Sequence, residues 1–262
     1  MACLQRYFYF KYRVFNLKPT TMKRRIKLPI IQLILMGVAL IWLTSCDKNE
    51  NSETVEDING NVYNTSVIGD QVWMVENLRT VSFRDGSLML TQLYDDFEWA
   101  SAGAACTIYP HSEIDGLDSE AEVSAAYGRL YNWIAVNDSR GLCPVGWRVP
   151  TEEDWDELIE YLGGEDVAGG KLKNTRTSPT DHPRWDSPNT GATDEKHFSA
   201  LPAGYRTSLG QFDFLGSYGE WWSSTEYNTD LAITRYISNY ETGMYHSYGR
   251  KRAGYSVRCI KE

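Results

Sequence analysis

The chain has 262 residues, 13% of them aromatic and 23% charged, which is enough for one sizeable domain and a targeting segment. Its formal charge of −9 is unevenly placed: residues 1–45 carry eight Lys/Arg and no Asp/Glu, leaving 18 basic against 35 acidic residues beyond them, a balance of −17. So acidic a body repels nucleic acid and anionic lipid headgroups, which excludes both as electrostatic partners.

Lys23, Arg24, Arg25 and Lys27 precede an apolar run of 16 residues, Leu28 to Leu43, and Leu43-Thr44-Ser45-Cys46 closes it with small residues before a cysteine. A run this short reads as a signal-peptide core, with an uncleaved membrane anchor as the alternative. The pattern resembles a bacterial lipobox, which implies thioether lipidation of Cys46 and cleavage before it. Met22 then reads as the start, with residues 1–21 either an upstream over-read or a genuine extension. Several acyl chains anchor stably where one holds weakly, so the membrane link rests on the lipid. Residues 46–56 are polar and read as the lipidated cysteine and its tether.

From residue 57 the pattern is that of a folded domain. Val62 to Ile68 and Gln71 to Val75 flank Gly69-Asp70, a two-residue hairpin. Asp57-Ile58-Asn59-Gly60-Asn61 has a faint calcium-loop look but lacks the later carboxylates of an EF-hand and reads as a turn. Residues 76–118 are poorly periodic. From Ser119 the pattern turns helical, with Val123, Tyr127, Leu130, Tyr131, Ile134 and Ala135 on one face and Asn137-Asp138 as the stop. Trp147 to Val149 is a short strand ended by Pro150. Thr151 and Asp154 cap the next helix, whose face is Trp155, Leu158, Ile159 and Leu162, and Gly163-Gly164 ends it.

Gly169 to Asn189 is loop-rich, and Phe198 to Leu201 a short strand. Gly204-Tyr205-Arg206 and Gly210-Gln211-Phe212 form a bent strand pair. Trp221 to Thr225, Ala232 to Ser238 and Tyr255 to Ile260 are the last strands, the final one placed to pair with the N-terminal part of the domain. Two mid-chain helices among many strands predict an α+β fold. Beyond Cys46 there remain Cys106, Cys143 and Cys259, so an exported chain predicts one disulfide with one cysteine left over.

Seven stretches carry a resemblance: Asp57 to Tyr63, Trp73 to Leu78, Tyr127 to Trp133, Gly141 to Trp155, Leu201 to Arg206, Trp221 to Ser224 and Ser256 to Cys259. In this order they resemble the Fibrobacter succinogenes major paralogous domain of exported proteins from Fibrobacter and Bacteroidota-type bacteria, over about residues 57–262. That family looks like the C-type lectin-like fold in its formylglycine-generating-enzyme branch. The resemblance implies two helices packed on a twisted antiparallel sheet with a long loop region, and a location in the cell envelope, at the outer membrane or cell surface. It also implies a domain-closing bridge between Cys143 and Cys259. Pairing of Cys106 with either one is the alternative.

The oxidase activity of that branch needs a suitably placed cysteine pair, and Cys259 has no second cysteine within a few residues. His111, His182, His197 and His246 are scattered, without zinc-ligand spacing. Gly169-Gly170-Lys171-Leu172 lacks the Gly and Ser/Thr that a phosphate loop requires. The reading is therefore a non-enzymatic binding or adhesion module without a cofactor, for a glycan or a protein. The alternatives are an oxidase of the formylglycine-generating type and a structural envelope component. Most of the eight tryptophans beyond residue 45 belong in the core, and Trp221-Trp222 on a strand buries only one of the two. Trp185, in a Pro/Asp-rich loop, is the expected exposed ring. Arg184, Trp185, Asp186, Asn189 and Tyr205 are the candidate ligand residues. Calcium held by Asp194 and Glu195 is the one ion considered, and the sugar-binding triplets of C-type lectins are missing.

Overall fold

A computed structural model describes residues 53–91 and 95–262. The basic and apolar segments and Cys46 lie outside the described residues. No helix among the described residues is long and apolar enough to cross a membrane.

The expected hairpin forms: β2 (Val62–Ile68) pairs with β3 (Gln71–Met74), and β1 (Thr54–Glu56) adds to the outer edge of β2. β13 (Ile260–Lys261) lies between β3 and β6 (Trp147–Arg148), so the two ends of the domain meet in one five-stranded sheet. A second sheet runs β11 (Tyr245–Arg250), β10 (Leu231–Ser238), β9 (Tyr218–Glu226), β12 (Tyr255–Ser256), β5 (Leu130–Tyr131), β4 (Cys106–Thr107). β7 (Ala203–Arg206) joins β9 in parallel and pairs with β8 (Phe212–Leu215), which is the bent strand pair read from the sequence.

The expected fold class, two helices on one sheet in a lectin-like arrangement, is overturned. The molecule is mostly β, two curled sheets accompanied by five short helices among the described residues, the longest of ten residues. The first expected helix stops early. α1 (Asp96–Ser101) is followed by α2 (Glu120–Tyr127), and Gly128, at φ +81°, ends α2. A Cβ there would lie 2.5 Å from that of Asn77, so only glycine lets the chain pass. Leu130 and Tyr131 then become β5, paired with both β4 and β12. α3 (Trp133–Val136) is a single turn capped by Asn132.

The second expected helix is present as α4 (Glu152–Tyr161). Thr151 accepts from Asp154 N at 3.3 Å while Asp154 accepts from Thr151 N at 2.6 Å, the reciprocal cap. Trp155, Leu158, Ile159 and Leu162 are all buried beneath it. Residues 169–172, expected as loop, end α5 (Glu165–Leu172). The phosphate-loop lookalike has a packing role: a Cβ on Gly169 would lie 2.0 Å from the Gly243 carbonyl, and one on Gly170 would lie 2.6 Å from that of Gly191. Phe198 to Leu201 is not a strand; Ala200 bridges to Lys173 alone.

The expected last strand, Tyr255 to Ile260, divides between the sheets. β12 belongs to the large one, β13 to the small one, and Val257-Arg258-Cys259 crosses between them. Three sets of bonds fix the crossing. Leu78 N donates to Val257 O at 2.8 Å and Met74 N to Cys259 O at 3.0 Å. Cys259 is bonded to Cys143, 116 residues away, with the Cα atoms 6.0 Å apart; closing so long a loop removes about 4–5 kcal/mol of unfolded-chain entropy. The Arg258 guanidinium, fully buried, donates to Asn77 Oδ1 through Nη2 at 2.8 Å and Nε at 3.2 Å, and to the Phe198 carbonyl through Nη1. It also stacks 4.2 Å from the Phe198 ring centroid.

Both faces of β9 are covered at Trp221 and Trp222. Trp221 packs with Trp73, Trp155, Trp185 and Phe198 under α4 and α5, and Trp222 packs on the other side with Tyr63, Tyr131, Trp133 and the disulfide. The expectation that one of this pair would stay exposed therefore fails, because the strand lies inside a two-sided core.

Candidate functional site

The five residues proposed from the sequence do not form one site. Trp185 is fully buried, its Nε1 donating to Ala200 O at 2.9 Å, so the exposed ring expected in this loop is absent. Arg184 is half-buried and receives the Tyr127 hydroxyl on its own backbone. Asp186 accepts from Ser217 Oγ at 3.3 Å, and Asn189 is buried, donating to Asn174 O at 3.0 Å. The Trp185 and Asp186 side chains and the Arg184 backbone hold the 174–200 loop against the rest of the domain, and Asn189 ties the loop to itself. Tyr205 alone lies elsewhere, on β7.

The acidic pair considered for calcium is also engaged. Both Asp194 oxygens accept from Ser199, from N at 2.7 Å and from Oγ at 2.6 Å, and Glu195 pairs with Lys171 at 3.5 Å. Asp57 is bonded in the same way to Asn59, Asn61 and Tyr63. No cluster of three His, Cys, Asp or Glu able to hold a metal is found among the described residues. A cleft of about 770 Å³ beside α2 has Arg79, Arg129 and Glu120 in its walls. Arg79 Nη2 and Arg129 Nε are already committed to backbone carbonyls there.

Cys106, the leftover cysteine, is buried, and burial pushes its thiol up to about 12. A thiol held neutral is a poor nucleophile. With Cys143 and Cys259 joined, no cysteine among the described residues is both free and exposed.

What the large sheet does bring together is a set of tyrosines around one carboxyl group. Alternate residues of a strand share a face, so Tyr218, Glu220 and Trp222 of β9 point the same way. Tyr236 of β10 stands opposite Glu220, Tyr245 of β11 stands opposite Tyr236, and the Gly204–Gly219 pairing sets Tyr205 beside Glu220 from the other side. The rings run continuously: Tyr245 to Tyr236 at 5.8 Å, Tyr236 to Tyr218 at 6.0 Å, Tyr218 to Phe214 at 5.0 Å, Phe214 to Tyr205 at 5.6 Å, Tyr205 to Tyr255 at 5.6 Å. Phe214 is 50% exposed and the five tyrosines are half-buried.

Glu220 is 7% exposed. Its Oε1 accepts from Thr234 Oγ1 at 2.6 Å. Among the described residues, neither its Oε2 nor any of the five tyrosine hydroxyls has a protein hydrogen-bond partner. Burial pushes the carboxyl up to about 7, with the Thr234 bond pulling partly back. Burial and the Glu220 charge together raise the Tyr255 phenol, and those of Tyr205 and Tyr236 are raised by burial and by neighbouring acids including Glu220.

Sequence reasoning singled out Tyr205 and missed Glu220, Phe214, Tyr218, Tyr236, Tyr245 and Tyr255. The readable signal was period two: Tyr218-x-Glu220-x-Trp222 places an acid between two aromatics on one strand face.

The description of one family, the Fibrobacter succinogenes major domain, matches residues 67–261. The chain belongs to that family. Comparison with curated proteins and with solved structures finds no match. In this member of the Fibrobacter succinogenes major domain family, Asn77, Trp221 and Arg258, all within the stretches that carried the resemblance, lie in the interior. Of the aromatic-face residues only Tyr205 lies within those stretches; Phe214, Tyr218, Tyr236, Tyr245 and Tyr255, and Glu220 with them, fall outside.

The raised carboxyl sets a pH dependence. The folded protein holds the Glu220 proton more tightly than the unfolded chain, whose carboxyl has its ordinary value near 4.5. Its contribution is thus fully favourable below about 4.5 and is lost as pH rises towards 7, about 3 kcal/mol in all. Urea unfolding of wild type and Glu220→Gln from pH 4 to 8 should show the variant gaining that amount relative to wild type across this window. Parallel curves would contradict the buried placement.

Proposed function

We propose that the protein is an exported, lipid-anchored cell-envelope module that binds glycans on the tyrosine face of its large sheet. The unpartnered hydroxyls of Tyr205, Tyr218, Tyr236, Tyr245 and Tyr255 around Glu220 carry this reading. A pyranose has apolar C–H faces and a rim of hydroxyls. Tyrosine offers the matching pair, a ring face of negative potential and a phenol that both donates and accepts. Tyr side chains also lose little conformational freedom on contact, which suits a binding surface. Trp185, from which a ligand surface had been expected, lends no support, and the reading rests on the tyrosines instead.

Export and anchoring are supported by the sequence alone: the basic residues from Lys23, the apolar run, and Cys46 after small residues. Metabolic labelling with radioactive palmitate in the native host should mark the wild-type chain and leave Cys46→Ala unlabelled. An unlabelled wild type would remove the anchor from the account.

On a glycan array, the wild-type chain should bind a defined subset of glycans. Tyr218→Ala/Tyr236→Ala should lose at least tenfold in affinity for that subset, with its circular dichroism unchanged. Binding that survives the double substitution places the ligand elsewhere, and an array with no signal refutes glycan recognition.

A further inference from the structure

Resting on the tyrosine face as the binding surface, one observation narrows the ligand. Every titratable side chain that the strands around Glu220 turn towards this face is a phenol or an acid. β7 contributes Tyr205, β8 Asp213, β9 Tyr218, β10 Tyr236, β11 Tyr245 and β12 Tyr255, and Glu241 lies in the following loop. The nearby arginines are committed to the opposite side. Arg206 stacks on Trp99 and Phe212, and Arg235 pairs with Asp156 and Glu165. A carboxylate is thus enclosed by aromatic faces with no cation beside it among the described residues, and one of its oxygens has no donor among them.

We infer that the face holds a ligand bearing a protonated amine, seated against Glu220 Oε2 and the rings of Tyr205, Tyr218 and Tyr236, so that the glycan recognised is an amino sugar with its amine free. The charge complementarity is twofold. The ammonium supplies the donor that Oε2 lacks, and its positive charge meets the negative faces of the surrounding rings. An acetylated amine keeps a single N–H donor but brings no charge, and its acetyl group sets a methyl and a carbonyl oxygen beside the carboxylate. A protonated amine also stabilises the ionised form of a carboxyl that burial otherwise holds neutral through much of the acidic range.

The deciding experiment is calorimetric titration of the full chain with two probes of one length, a β-1,4-linked glucosamine tetramer and the corresponding N-acetylglucosamine tetramer, at pH 7. The wild type should bind the amine form at least tenfold more tightly. Glu220→Gln, which keeps the shape of the side chain, should reduce that ratio to about two or less. Equal affinity for the two tetramers, or preference for the acetylated one, overturns the amine inference and leaves glycan recognition standing. A ratio unchanged in Glu220→Gln overturns the role of the carboxylate, and with it the inference. Failure of both tetramers to bind also overturns it, and the glycan array then decides separately whether the face binds glycans at all.

Discussion

A guanidinium without a carboxylate sits where the two sheets meet. Arg258 is buried with no acid in salt-bridge range among the described residues, and burial lowers it to about 9, still protonated at neutral pH. Its compensation is geometric. Asn77 Oδ1 takes two of its donors and also the Trp221 indole N–H at 2.8 Å, while Asn77 Nδ2 donates to Tyr127 O at 2.9 Å and Ser256 Oγ at 3.3 Å. Bonds to a charged group contribute about 1.5–3 kcal/mol each, and removing one partner of a buried charge costs about 3–5 kcal/mol. The β3 exit, the end of α2, the centre of β9 and the crossing between β12 and β13 are thereby tied to one side-chain amide. The disulfide locks the same crossing one residue later.

The aromatic face follows from that arrangement. Because β9 runs between two cores, the tryptophans are consumed in packing: all eight beyond residue 45 are buried, each worth about 4–6 kcal/mol of gross burial. The amphipathic aromatics left at the surface are tyrosines. Where β7 to β12 lie side by side, the period of the strands collects them on one side around Glu220. Scaffold and site therefore share β9: alternate residues Trp221 and Ser223 face inward under the helices, and Tyr218 and Glu220 face the tyrosine surface.

Local rules were legible in the sequence where one residue type answers one geometric need. Thr151 and Asp154 capped α4 as written, Gly69-Asp70 turned the first hairpin, and the chain's end paired near its beginning. The resemblance gave the family and the Cys143–Cys259 pairing. Rules that depend on neighbours far along the chain misled. Leu130 and Tyr131 fit a helical face as well as a strand, and the side chain of Asn77, 51 positions before Gly128, decides between them. Trp185 looked exposed because its loop is polar, yet Lys173, Ala200 and Phe198 close over it. Glu220 was overlooked because one acid in an aromatic strand has no sequence partner. Its surroundings come from five other strands.

The measurement that bears most directly on this account is a double-mutant cycle at the crossing, with urea unfolding of wild type, Asn77→Ala, Arg258→Met and the double variant at pH 7. If one amide organises the buried charge, Asn77→Ala costs about 3–5 kcal/mol in the presence of Arg258 and at least about 2 kcal/mol less in its absence. Costs that add to within about 0.5 kcal/mol would contradict the coupling and remove Arg258 from the centre of the fold.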